Sequence, residues 1–339
     1  MPNNDDRYRP FGLVTDMLAT LDIIRHFDVN QADETAREIA QVGRLLMTGE
    51  GSSRIFPAKN AITHARRQGY SLQLHTEAGV QAQEYNLNGW AVFALSNSGR
   101  TAEVIRLFTA LKSAGHSPQY SLTAFPDTTL QALADRGYVL SCGAEGAVAA
   151  TKSVMEQALF YRALLEAVEG KKQLASNLPE LCDSVQQALT MPIDPEIVAR
   201  IASAQTIYWA GRNDGVAEEL TLKTNEITRK RADFLEGTYA VHGVEEVMSA
   251  DEVVIWVEPY EVSEEKIRET LVDGVGMSVI AVSSRPSIFP TIAIPEGGDL
   301  AGYIQMAAGW NLLVEVGLQL GIDLDKPQRA RKVGNELLD

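Results

Sequence analysis

Residues Ser96, Asn97, Ser98, Gly99, Arg100 and Thr101 place three hydroxyls, an amide, a glycine and a guanidinium in six consecutive positions, directly after the apolar run Trp90–Leu95. Such a set suits the binding of an anion. The side chains of Ser96, Asn97, Ser98 and Thr101 supply donors, and Gly99 lets the backbone come close to a ligand. A helix beginning at this point would add unpaired N–H groups and the positive end of its dipole. The Walker pattern GxxxxGK[ST] is absent, so a single phosphate monoester fits better than a nucleoside triphosphate. A second turn, Gly-Glu-Gly-Ser-Ser at 49–53, brings Ser52 and Ser53 to the end of an earlier apolar run and could reach the same point. Taken alone, either turn reads equally well as ordinary capping and turn chemistry.

These residues need a scaffold, and the chain supplies short apolar runs alternating with amphipathic stretches. Runs near residues 44, 71, 91, 119 and 138 read as strands, with helices between them, and the pattern restarts after residue 196. Alternation of this kind predicts an α/β fold with parallel sheets covered by helices on both faces. In such sheets ligands bind beyond the carboxyl ends of the strands. The expected division is an N-terminal helical segment (1–39), a first α/β unit (40–170), a helical connector (171–195), a second unit (196–322) and a C-terminal tail (323–339). The two units share an architecture with little residue identity. Where the first leaves its third strand through Ser96–Thr101, the second leaves through Glu258, Pro259 and Glu261. Carboxylates there predict one anion site per chain, in the first unit.

Composition narrows the function classes. With 30 Lys and Arg against 45 Asp and Glu, the formal charge is −15. A nucleic-acid partner needs a basic footprint and is not expected, whereas a small anion can still be held by a locally positive site. The two cysteines, Cys142 and Cys182, form no C-x-x-C or Cys/His metal spacing, so neither a metal nor a cofactor is expected. Two thiols suit a reducing cytoplasm, and Cys142 reads as a packing residue. The first ten residues lack the basic and apolar regions of a signal peptide. Gln305, Asn311 and Glu315 interrupt the apolar run Tyr303–Gly321, which therefore reads as a buried helix rather than a membrane span.

The segments GEGSS, LSNSGRT and GAEGAVAATKS resemble the sugar isomerase (SIS) domain, and within that superfamily the isomerase half of glucosamine-6-phosphate synthase (glutamine–fructose-6-phosphate aminotransferase). The resemblance covers roughly residues 40–335 as two tandem SIS domains, each a flavodoxin-like three-layer α/β/α unit. It implies that Ser53, Ser96, Asn97, Ser98 and Thr101 hold a sugar phosphate, with Ser52, Arg100, Val148 and Ala150 against the substrate. The second half carries the family's Lys-x-x-Glu pair as Lys223 and Glu226, with His242-Gly243 sixteen residues after the Glu. The tail carries Gly321, Asp323, Asp325, Pro327 and then Lys332 five residues beyond the proline.

The resemblance implies chemistry on a hexose 6-phosphate or its amino derivative. Glu226 would shuttle a proton between C1 and C2, and His242 would open the ring. Lys332 would form a Schiff base with the open ketose, and Lys223 would tune or relay protons. It further implies a homodimer in which His242 serves the neighbouring subunit's site. The family's glutaminase domain begins with a nucleophilic cysteine at position 2; here Met1 is followed by Pro2. The expectation is therefore an isomerase, deaminase or deglycase built on the isomerase half. A sugar bearing another anion such as a sulfonate, or a sugar-phosphate sensor without turnover, are the competing readings. Arg100 stands where the synthase often has an acidic residue, and would contact the anion, face solvent or pair with Glu103.

Overall fold

The computed structural model describes residues 6–332 and 334–337; the outermost parts of the expected 1–39 segment and 323–339 tail, and position 333, lie outside them. The chain divides into two compact units. One comprises Asp22–Glu145, Ala150–Pro179 and Arg331–Asp339, and the other Met1–Leu21, Gly146–Ala149 and Glu180–Ala330. Each contains one five-stranded sheet, and every strand pair in both is parallel.

In chain order, helices α1 (Gly12–His26) and α2 (Asp33–Val42) precede strand β1 (Arg44–Gly49). Then come α3 (Ile55–Arg67), β2 (Gln73–Ala78), α4 (Gly79–Ala82), β3 (Ala91–Leu95), α5 (Ala102–Ser113), β4 (Gln119–Thr123), α6 (Thr129–Leu133), β5 (Arg136–Val139) and α7 (Lys152–Val168). The first sheet has the order β2-β1-β3-β4-β5. Period-two alternation sends Leu45, Met47, Phe93 and Leu95 into a core shared with Ala58, Ile62, Phe160 and Leu164 of α3 and α7. Leu46, Val92 and Ala94 point the other way, against Ala82, Val104, Phe108 and Leu130 of α4, α5 and α6. Runs buried on both faces are what a sandwiched parallel sheet requires.

The second half continues with α8 (Gln173–Thr190), α9 (Pro195–Ser203), β6 (Thr206–Gly211), α10 (Val216–Thr228), β7 (Arg231–Glu236), β8 (Val253–Val257), α11 (Glu264–Ile267), β9 (Ser278–Ser283), β10 (Thr291–Ala293) and α12 (Ala301–Gln319). Its sheet order, β10-β9-β8-β6-β7, is the first sheet's order read from the other edge. Trp256, Val254 and Ala281 pack on Ile267 and Leu271 on one face. On the other, Trp209 donates its indole N–H to Thr224 Oγ1 of α10 at 2.7 Å.

Several local features depart from the sequence reading. Strand β7 went unread because Arg-Ala-Asp-Phe-Leu-Glu is polar at every exposed position of an edge strand. A π-helical stretch, Arg268–Val275, follows α11 where no element was expected. The connector is helical only to Thr190, and α9 starts afresh at Pro195, with Asp194 Oδ1 accepting the Glu196 N–H at 2.9 Å. Among the described residues no helix is long and apolar enough to cross a membrane. The polar interruptions of α12 are engaged: Asn311 donates to the carbonyls of Ala188 and Met191 at 3.0 and 2.9 Å.

Candidate functional site

In the first sheet the two hydroxyl-rich turns leave the carboxyl ends of adjacent strands, β1 and β3. Gly49 lies where they meet. A Cβ there would come within 2.8 Å of the Ser53 carbonyl oxygen and 2.9 Å of that of Leu95, so only glycine fits. Ser53 stands in a single 3-10 turn, Gly51–Ser53, and its Oγ receives the Gln157 amide of α7 at 3.4 Å.

The Ser96–Thr101 turn is internally braced. Ser96 is buried; its Oγ lies 2.8 Å from Thr101 Oγ1 and accepts the Gly99 N–H at 3.1 Å. Ser98 Oγ accepts the Arg100 N–H at 3.1 Å. Ser96 and Thr101 therefore shape the turn, while Asn97 Oδ1 is buried with no hydrogen-bond partner among the described residues. Gly99 adopts φ +64°, and a Cβ there would sit 2.4 Å from Thr128 Cβ.

The tail lies on this turn. Thr101 and Glu336 form an antiparallel bridge, Ala102 N–H donates to the Asn335 carbonyl at 3.0 Å, and Leu337 N–H donates to the Arg100 carbonyl at 3.2 Å. Arg100 pairs with Glu336 at 3.1 Å, and Glu103 accepts from Asn335 at 2.8 Å. Arg100 thus pairs with a residue over two hundred positions away.

Lys332 belongs to the same unit and reaches Glu145 Oε2 at 2.5 Å. The Glu145 side chain is fully buried. Its other oxygen caps the start of α7, accepting the N–H groups of Thr151 at 2.8 Å and Ser153 at 3.1 Å and the Ser153 hydroxyl at 3.2 Å. Burial pushes this carboxyl up. The Lys332 charge, the Lys332 hydrogen bond and the two backbone donors outweigh it and hold the group below the ordinary range. Sequence reasoning did not single out Glu145; its partner lies 187 residues away. Cys142, expected as packing, is half-buried against the core, and burial followed by the charges of Glu156 and Glu145 pushes its thiol far up.

In the other unit, α10 begins after Gly215 (φ +89°), with Asp214 Oδ1 accepting the Val216 N–H at 3.1 Å. It carries Glu219, Lys223 and Glu226 at spacings of four and three, on one face. Lys223 Nζ lies 3.3 Å from Glu219 and 2.6 Å from Glu226; Lys223 and Glu219 are fully buried, and Glu226 keeps 20 % of its side chain exposed. The helix thus offers a half-open carboxylate backed by a buried ammonium, itself backed by a second buried carboxylate. Glu219 was missed, although its spacing four residues before Lys223 was readable. Arg229, at φ +59°, ends the helix by donating to the carbonyls of Glu226 and Ile227 and, at 2.6 Å, of Asp323.

His242 is exposed; its Nε2 lies 3.3 Å from Thr238 Oγ1. Val148 N–H donates to the Asp325 carbonyl at 3.1 Å, and Asp325 caps α1 by accepting the N–H groups of Gly12 and Leu13, both at 2.8 Å. Ala150 and Ser52 are half-buried. Glu258, expected to replace an anion in the second sheet, adopts φ +45° and accepts from Ser283 Oγ at 2.9 Å and Ser284 N–H at 2.7 Å. No group of metal-ligating side chains occurs among the described residues.

The hydroxyl turns at the ends of β1 and β3, in a sheet of this order, fall inside a stretch that matches a known family over residues 38–167. The family is the SIS domain. The chain is 27% identical over 293 residues to a glutamine–fructose-6-phosphate aminotransferase of Halobacterium salinarum, covering 77% of this chain and 48% of that protein. It spans about half the length of the curated relatives it matches. Among solved structures, tagatose-6-phosphate ketose/aldose isomerase from Escherichia coli superposes with a TM-score of 0.79 at 15% identity, covering 97% of this chain and 100% of that one. Glucosamine-6-phosphate deaminase from Thermotoga maritima gives 0.73 at 17% identity, covering 95% and 98%. These likenesses show that the fold shared with these proteins extends over nearly the whole chain.

Proposed function

We propose that the chain is an enzyme of the phosphosugar isomerase type, acting on a hexose 6-phosphate or its amino derivative. The observation that carries this reading is the pair of hydroxyl turns, Ser52–Ser53 and Ser96–Thr101, drawn together at Gly49 beyond the carboxyl ends of two adjacent parallel strands. They suit a phosphate monoester. The second support is Glu226, partly exposed with Lys223 at 2.6 Å: a carboxylate available to move a proton, oriented by a buried cation.

In this reading Ser53, Asn97 and Ser98 hold the phosphate and Ser96 and Thr101 keep the turn in shape. Glu226 moves the proton between C1 and C2, and His242, exposed beside Thr238, opens the ring. Lys332 forms a Schiff base with the ketose carbonyl after leaving Glu145. The second half is read as a second SIS domain, because its sheet repeats the strand order of the first. The active form is read as a homodimer that shares His242.

The test is a panel of hexose 6-phosphates and 2-amino-2-deoxyhexose 6-phosphates in deuterated water, followed by NMR for aldose–ketose exchange, ammonia release and label at C1 or C2. Wild type should exchange label and Glu226→Gln should lose it by at least 100-fold. Label entering at the wild-type rate in Glu226→Gln would remove Glu226 as the base. Tight binding without turnover would favour a sensor.

A further inference from the structure

Helix α7 is buried without a break from Lys152 to Glu166, and Gln157 on it is fully buried. Its carboxamide is only half used. Nε2 lies 3.4 Å from Ser53 Oγ in the turn after β1, whereas Oε1 is buried with no hydrogen-bond partner among the described residues. Buried acceptors are almost always paired, so a glutamine kept in this state calls for a donor. A purely structural role would be filled better by an apolar side chain of the same length, which strands no acceptor.

The helix sets the depth at which this group stands. One turn further on, Tyr161 donates its hydroxyl to the carbonyl of Phe93, in the middle of β3, at 3.1 Å. Gln157 precedes Tyr161 by one helical turn, about 6 Å along the axis toward the carboxyl ends of the strands. Two residues of strand rise by about 7 Å. Gln157 therefore stands level with Leu95, the last residue of β3. The Leu95 carbonyl is one of the two that exclude a Cβ from Gly49, where the hydroxyl turns meet. A rigid helix thus brings the amide to the base of the anion site.

The hydrogen-bond roles follow from the groups present. Nε2 can only donate, so Ser53 Oγ accepts from it and keeps its own O–H to donate elsewhere. Turned over, the amide would take the Ser53 proton on Oε1, and that hydroxyl could no longer donate to an anion. Oε1 needs a donor that a fully ionised phosphate does not carry and a sugar hydroxyl does. Asn97 Oδ1, in the neighbouring turn, is buried in the same unpartnered state.

We propose that Gln157 is a ligand-binding residue of the anion site: its N–H aims the Ser53 hydroxyl at the phosphate, and its carbonyl accepts a hydroxyl of the sugar. The proposal rests on the phosphosugar reading above and deepens it, because such a residue tells the phosphate ester of a polyol from phosphate itself.

The experiment is calorimetric titration with glucose 6-phosphate, fructose 6-phosphate and inorganic phosphate, beside melting curves of the ligand-free proteins. Gln157→Met keeps the length of the side chain and removes both polar groups. It should weaken the better hexose phosphate by about tenfold or more and inorganic phosphate by only about threefold. Its ligand-free form should melt within about 2 °C of wild type, or above it. Gln157→Glu cannot donate to Ser53 and sets a like charge beside the anion, so it should lose more than Gln157→Met with every ligand. For inorganic phosphate, Ser53→Ala/Gln157→Met should bind within about twofold of Ser53→Ala, since both changes act through one hydroxyl, whereas Ser98→Ala/Gln157→Met should show the product of the two single losses. Equal losses for hexose phosphate and inorganic phosphate in Gln157→Met, hexose phosphate binding within about twofold of wild type, or multiplicative losses with Ser53→Ala would each overturn the proposal and leave the phosphosugar reading in place. A ligand-free Gln157→Met melting more than about 5 °C below wild type would overturn it too, by assigning Gln157 to the fold. A wild type that binds neither hexose phosphate would overturn the phosphosugar reading, and the proposal with it.

Discussion

Replacing Lys223 by methionine removes the cation that lies 3.3 Å from Glu219 and 2.6 Å from Glu226. Methionine fits the space of the lysine stem, so the loss is mainly one of charge. Glu219 would then be a fully buried carboxylate without its counter-ion, and Glu226 keeps enough exposure to be solvated. Breaking one side of a buried pair costs about 3–5 kcal/mol. For a unit of 150–250 residues each kcal/mol moves the melting temperature by about 2–4 °C, giving a fall of roughly 6–20 °C. The double variant Lys223→Met/Glu219→Gln removes the stranded charge as well and should recover more than half of the loss. Urea unfolding followed by circular dichroism at pH 7 gives the free energies, and scanning calorimetry the temperatures. A single variant within about 1 kcal/mol of wild type, or a double variant no more stable than the single, would refute the argument that Lys223 chiefly neutralises Glu219.

Gly99→Ala should destabilise the SIS domain by at least about 1–2 kcal/mol from the left-handed backbone alone, with a further cost because its Cβ would sit 2.4 Å from Thr128; melting curves and glucose 6-phosphate binding should both report it. Stability should also depend on Glu145 in acid. Its folded carboxyl titrates below the reference of 4.5, so its contribution is complete above that pH and lost as pH falls through the folded value. Urea titrations from pH 5.5 to 3 should therefore show a steeper fall in wild type than in Glu145→Gln, and equal slopes would contradict the assignment.

What the sequence disclosed follows from how far apart the cooperating residues are. Strands β1, β3 and β8 were readable as apolar runs because both of their faces are buried. Strand β7 was not, since its three exposed positions on the sheet's edge, Arg231, Asp233 and Glu236, are all charged. The Lys223–Glu226 pair is local, so its spacing announced it, and Glu219 one turn earlier obeys the same rule. Glu145 has no local signature, because one of its oxygens is spent on a helix six to eight residues ahead and the other on Lys332. Arg100 could not be paired by inspection for the same reason: Glu336 becomes its neighbour only through the pairing of the tail with Thr101.

The tail also has a consequence for the order in which the chain is built. The SIS-bearing unit is interrupted in sequence: it holds residues 150–179 and then resumes at 331. During synthesis its sheet and helices can fold once residue 179 has emerged, as nascent units do. The Glu103–Asn335 contact joins residues 232 apart, and the Ala102 and Arg100 pairings join the same two segments. The ribosome must therefore make the whole of 180–330 before the Ser96–Thr101 turn receives its bridge to the tail. A ribosome-bound chain stopped at residue 325 would present a formed sheet whose Ser96–Thr101 turn still lacks its bridge to Glu336.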